Sequence, residues 1–169
     1  VIIGIVLSIG WLIYVSAEPH MPELGHKAGT QIFRSIEEFP DSETYPALLV
    51  LRFDSGLFFA SADALEDRIR ELALQADPPL QTVVIDFEGI NFIDSQGSAK
   101  TAEVVELANN YDIELRLTRV KAQVMKVLKR DGVIDNLGQD HIYGNVYEAV
   151  ADQLPVHQTD GRMTEDEDV

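Results

Sequence analysis

A chain of 169 residues, 46% apolar and 25% charged, suits one domain with a true core plus appendages. Its 29 acidic and 13 basic residues give a net charge of −16, which argues against nucleic acid or an anionic lipid surface as ligand, since both need clustered Lys and Arg. The absence of cysteine excludes disulfides, thiol chemistry and Cys-based metal sites, and suits a reducing compartment.

The chain opens on VIIGIVLSIGWLIYV, Val1 to Val15, with no charge and no polar face. As a helix this run covers about 22 Å, short of the ~30 Å hydrocarbon core. The apolar run starts at the first residue, without an initiator Met, so the helix is expected to continue upstream. Apolar residues on every side point to lipid or deep burial rather than to an amphipathic surface helix. Two other readings stay open. A secretory signal peptide fits the length and the small-residue Val15-Ser16-Ala17, but no basic segment precedes the run. A core helix of a soluble protein would have to hide every face. The flanks say little about orientation, because Glu18 and Glu23 offset Lys27. From Glu18 to Thr30, Pro19, Pro22, Gly25 and Gly29 break the periodicity and predict a linker over 18–30.

Beyond it the pattern is α/β. Ala47 to Phe53 reads as a strand buried on both faces, Asp54-Ser55-Gly56 as a turn, and Leu57-Phe58-Phe59 as its hairpin partner. Ser61 to Gln75 is a helix with Leu65, Ile69, Leu72 and Ala76 on one stripe. Ser61 is expected to cap it, with Asp63 and Glu66 in the first turn. Asp77-Pro78-Pro79 ends it, Thr82 to Phe87 is a buried strand, and Asn91-Phe92-Ile93 is a short extended piece. A helix follows from Ser95 to Asn110, a strand from Ile113 to Thr118, and a helix from Ala122 to Asp131, with Val124, Val127 and Leu128 inward, stopped at Gly132. A last helix over Asn145 to Leu154 ends at Pro155. Alternating strands and helices predict a layered fold, and the early hairpin predicts a mixed sheet. The tail, 156–169, carries the run Glu165 to Asp168 and reads as disordered.

Catalytic signatures are missing. His20, His26, His141 and His157 are scattered, with no metal-ligand spacing; no phosphate loop, dinucleotide loop or nucleophile elbow occurs. No carboxylate has neighbours that suggest burial. The chain therefore reads as a non-enzyme, with no cofactor and no metal. One segment stands apart: Phe92-Ile93-Asp94-Ser95-Gln96-Gly97-Ser98. Here a strand end delivers Asp94 and Ser95 into a helix start, where either side chain can accept from a first-turn N–H. Gly97 leaves room for another backbone or an anion. An ordinary cap explains the segment; so does a displayed hydroxyl, whose phosphate would add about −1.5 to −2 charge, favoured by the helix dipole and opposed by Asp94.

The order of these features resembles the C-terminal part of the SulP (sulfate permease) family of anion transporters, whose last membrane helix is followed by a STAS domain. The resemblance runs over residues 1 to 155. It is carried by Ala17-Glu18-Pro19-His20 leading to Leu24-Gly25, by Leu48 to Ala62 (LLVLRFDSGLFFASA), and by Val84-Ile85-Asp86-Phe87 through Ile93-Asp94-Ser95-Gln96-Gly97. It implies a mixed β-sheet with helices packed mainly on one side, divided as 1–17 membrane-helix end, 18–30 linker, 31–155 STAS domain and 156–169 tail. It implies an inner- or plasma-membrane protein, cytoplasmic from about residue 18, in which this is the regulatory or interaction domain of a secondary transporter of sulfate, bicarbonate or a similar small anion. The implied partners are the transmembrane domain of the same transporter, a second copy in a homodimer, and a regulatory protein or nucleotide at the Asp94–Gly97 loop. Ser95 matches the serine phosphorylated in the family's soluble anti-sigma-factor antagonists, and a soluble switch of that type is the alternative. Asp94, Gln96, Gly97 and Ser98 complete the candidate loop. Glu18 and Glu23 depart from the family's more basic membrane exit, and the tail lies outside the match.

Overall fold

The computed structural model of the protein describes residues 2–17 and 19–154. The acidic tail, and the disorder expected of it, lie outside the described residues. The first helix, α1, spans Ile2–Ala17, and Ile3, Leu7 and Trp11 on it are 76%, 67% and 68% exposed. No helix among the described residues is long and apolar enough to cross a membrane. After α1 come β1 (Leu24–His26), β2 (Phe33–Ser35), β3 (Leu48–Arg52), α2 (Phe59–Gln75), β4 (Thr82–Asp86) and α3 (Ser95–Asn110). The chain continues through β5 (Glu114–Thr118), α4 (Ala122–Arg130), α5 (Val133–Leu137), β6 (Ile142–Tyr143) and α6 (Val146–Val150).

The central sheet is parallel, in the order β3-β4-β5-β6, with Arg52, Asp86 and Thr118 in one row at its C-terminal end. The apolar runs explain its two covered faces. Leu49, Leu51, Val83, Ile85 and Leu117 enter the large core under α2 to α5. Leu48, Val50 and Val84 face a smaller cluster with Leu24 and α6. The helices thus pack mainly on one side.

The antiparallel part of the fold is not where the turn signal puts it. Leu57 to Phe59 does not fold back on β3: Leu57 makes a single parallel bridge to Ile93, and Phe58 is the N-cap of α2. Instead the 20–23 segment runs antiparallel along β3, where Arg52 N–H donates to the Pro22 carbonyl at 3.0 Å and Asp54 N–H to the His20 carbonyl at 3.0 Å. The expected linker is therefore largely structured. Leu24 and His26 are 3% and 4% exposed, and β1 pairs antiparallel with β2. Prolines and glycines punctuate this stretch, yet β1 forms across Gly25, as a short strand can. Burial pushes the Glu23 carboxyl above its ordinary pKa, a rise partly offset by the charge of Arg68.

Three local expectations also change. Ser61 is not the N-cap of α2; from the third helical position it accepts from Phe58 N–H (3.2 Å) and donates to the Gly56 carbonyl (2.7 Å). Because α2 starts earlier, Asp63 and Glu66 fall beyond its first turn and pair with Lys100, at 3.0 and 3.3 Å. The final helix is shorter than its pattern, ending at Val150. It is tied to β5 by Arg116, 5% exposed, which donates to both oxygens of Asp152 at 2.7 and 2.8 Å and to the Ala149 carbonyl.

That tie sets an acid dependence. The guanidinium of Arg116 is the main cause holding the Asp152 carboxyl below its ordinary value of 3.8. A folded-state pKa below the unfolded one means the contribution is complete above the ordinary value and fades as pH falls through the folded one. Asp152→Asn should cost about 1–3 kcal/mol at pH 7, discounted toward the lower end because Asp152 is more than half exposed. Urea unfolding of both proteins should show that gap closing below about pH 4, the ordinary aspartate range.

Candidate functional site

The loop joining β4 to α3 lies at the C-terminal edge of the parallel sheet, the end where open α/β sheets receive ligands. Two glycines seat it against the β3–α2 loop. A Cβ at Gly89 would stand 2.3 Å from the Phe53 carbonyl oxygen, and one at Gly97 only 2.1 Å from that of Leu57. Backbone bonds close the contact: Leu57 N–H donates to the Phe92 carbonyl at 2.9 Å, and Asp94 N–H donates to the Leu57 carbonyl at 3.2 Å. The space that Gly97 leaves is filled by backbone, which answers the sequence alternative of an anion at that position.

Asp94, not Ser95, caps α3. Its backbone is extended and its Oδ1 accepts from Gly97 N–H at 2.8 Å. Ser95 is the first residue of the helix, and its side chain and that of Gln96 are exposed. The five candidate residues therefore share one turn but not one role. Asp94 and Gly97 build the turn, Ser95 and Gln96 are displayed, and Ser98 points inward at 0% exposure. The Ser98 hydroxyl makes no hydrogen bond of standard length and angle, yet it faces the Asp131 carboxylate. Arg130 first, and Ser98 second, hold that carboxyl below its ordinary pKa. One turn on, Thr101 Oγ1 donates to the Gly97 carbonyl at 2.8 Å.

The ion pair beside this loop is not among the expected site residues. Asp86 ends β4 fully buried, against the expectation that no carboxylate is. Arg119, just past β5, donates to both of its oxygens and also reaches Glu88 at 2.6 Å. Thr118 Oγ1 and Glu88 N–H donate to Asp86 Oδ1 at 3.3 and 3.1 Å. A signal was present: Asp86 and Arg119 close two apolar strand patterns, VVID and LRLTR, and parallel neighbours bring such ends together. Lys121 adds a second tie, donating to the Glu88 carbonyl at 2.5 Å and to Asn91 Oδ1 at 2.6 Å, while Gln123 donates to the Asn91 carbonyl at 2.9 Å. Among the described residues, no group of three or more His, Asp or Glu could hold a metal ion.

With this geometry in hand, the chain can be set beside known proteins. A family model described as the STAS domain matches residues 39–149. "Probable sulfate transporter 4.2" of Arabidopsis thaliana is 27% identical over 166 residues, covering 93% of this chain and 24% of the relative. "Sulfate transporter 3.2" of the same plant is 30% identical over 161 residues, covering 88% and 25%. The chain thus spans about a quarter of the length of these curated relatives. Among solved structures, the murine Slc26a9 anion transporter in its inward-facing state superposes with a TM-score of 0.75 at 18% identity, over 88% of this chain and 24% of that one. The Bacillus cell fate determinant SpoIIAA, in its phosphorylated form, superposes with a TM-score of 0.50 at 18% identity, over 66% and 95%. At such identities the structural likeness shows the fold.

The three roles in the turn separate on mutation. Gly97→Ala should be the most damaging, by about 1–3 kcal/mol or more, because the Leu57 backbone has to move. Asp94→Ala should cost about 0.5–2 kcal/mol as a lost cap. Ser95→Ala, exposed and not the cap, should stay within about 0.5 kcal/mol. Thermal unfolding of the three variants checks the order, and a Ser95→Ala loss as large as that of Asp94→Ala would reverse the assignment of the cap.

Proposed function

The chain is a member of the STAS domain family, and from that premise we propose that it is the cytoplasmic regulatory domain of a membrane transporter for sulfate or a similar small anion. The observation that carries this reading is the match of 93% and 88% of the chain to about one quarter of two proteins named as sulfate transporters. An exposed apolar helix directly ahead of an acidic α/β domain supports the same assignment, with α1 as the end of the last membrane helix. On this reading the domain acts by binding rather than catalysis. Its partners are the membrane part of the same transporter, a second copy, and a regulatory protein at the Asp94–Gly97 turn. Ser95 is the residue through which that turn is switched. Its hydroxyl is displayed at the positive end of a sixteen-residue helix, on a turn held from beneath by Leu57 and preceded by the Asn91 loop that Lys121 grips. A soluble phosphorylation switch is the second reading, favoured by the likeness to phosphorylated SpoIIAA. The apolar exposure of α1 weighs against it.

The test is sulfate uptake by the full-length protein carrying Ser95→Ala or Ser95→Asp, each checked for folding and membrane insertion. Regulation through Ser95 predicts that the charged variant changes uptake by about fivefold or more, while the alanine variant keeps the unmodified level. Wild-type uptake from both folded variants would remove Ser95 from the account. No uptake by the unaltered protein would remove the transporter.

A further inference from the structure

In so acidic a chain, the basic residues are mostly spent on intramolecular pairs. Among the described residues every arginine has a carboxylate partner within 4.0 Å, as has Lys100. The lysines without one are Lys27, in the turn after β1, and three around α4: Lys121, Lys126 and Lys129. Helical geometry groups the last two. Val124 and Leu128 are buried, so the outward face carries Ala122, Gln123, Lys126, Lys129 and Arg130, all exposed. The dipole at the end of α4 accounts for Lys129 and Arg130 in the last turn, but not for Lys126 or Lys121. Beside the N-terminus of α4, on the Asn91 loop that Lys121 and Gln123 grip, Phe92 stands 60% exposed.

We propose that the outward face of α4, with Lys126 and Lys129 as its charged contacts and Phe92 as an apolar anchor at one end, is a docking surface for an acidic polypeptide segment. Charge complementarity names the partner's sign, and screening names its kind. At physiological ionic strength a charge is felt over about 8 Å. A short acidic segment laid along α4 therefore senses Lys121, Lys126 and Lys129, on a helix whose Arg130 is already paired with Asp131. A membrane or a nucleic acid presents negative charge over a far wider area, and would meet the rest of a chain whose net charge is −16. The exposed aromatic also suits a polypeptide, because such surfaces use rigid aromatic anchors within a polar rim. The proposal is independent of whether Ser95 is a switch, since neither lysine contacts that turn.

The test uses the whole 169-residue chain in uncharged detergent. The probe is a fluorescent peptide of glutamates around a central leucine, followed by anisotropy at low and at physiological salt. Lys126→Glu with Lys129→Glu should weaken binding by about tenfold or more, since two attractions become repulsions. Phe92→Ala should weaken it by about threefold. Lys27→Glu should leave binding unchanged, and circular dichroism should show each variant folded. Equal binding by the wild type and the folded double variant, or an equal loss in Lys27→Glu, would overturn the proposal. So would binding to phosphatidylserine vesicles but not to the peptide.

Discussion

At the C-terminal end of the central sheet the carbonyl of Leu57 presses against the first turn of α3, at the one position there where no Cβ stands in the way. A side chain at Gly97 would meet that oxygen at 2.1 Å, well inside any van der Waals contact. The close approach lets Leu57 exchange hydrogen bonds with Phe92 and Asp94 and bury its own side chain completely. The start of α2, the end of the β4 loop and the start of α3 are thereby fixed to one another. The direction in which Ser95 is displayed, and the height at which Phe92 stands out, follow from that contact.

Electrostatics complete what packing begins. A net charge of −16 disfavours compactness, and the structure answers by pairing each described arginine with an acid. Arg119 spans Asp86 and Glu88 under the candidate loop, and Arg116, within β5, spans Glu114 and Asp152. Asp86 is fully buried, so its partner is obligatory: an unpaired carboxylate at that site would be far more costly than the pair. Of the four described lysines without a carboxylate partner, three lie around α4.

Much of this was legible in the residues. The helix from Ser95 to Asn110 is found with the bounds that its cap signal and 3.6-residue period predict, and the strand runs at 47–53, 82–87 and 113–118 all lie in the sheet. Their apolar character on both faces is the signature of a parallel sheet covered on both sides. What failed was non-local. Asp54-Ser55-Gly56 is a sound turn signal, but turn chemistry cannot say whether the next residues return to β3 or move on to Ile93. The edge of β3 was taken by residues 20–23, which the prolines and glycines made look unstructured. Capping could not be divided between Asp94 and Ser95, because adjacent side chains offer the same oxygen and only backbone geometry decides. Nor could Asp86 be matched to Arg119 until the strand order was known.

Held by the Leu57–Gly97 contact, the loop displaying Ser95 should be a rigid platform rather than a mobile loop that orders on demand. Residue-resolved amide hydrogen exchange tests it directly, in the unaltered chain and in Ser95→Asp. The amides of Leu57, Asp94, Gly97 and Ser98 should exchange as slowly as those of Val84 and Ile85 in the central strand, opening only with the whole domain, and the added charge should leave them so. Exchange of those four amides at loop-like rates, while the strand amides stay protected, would contradict it.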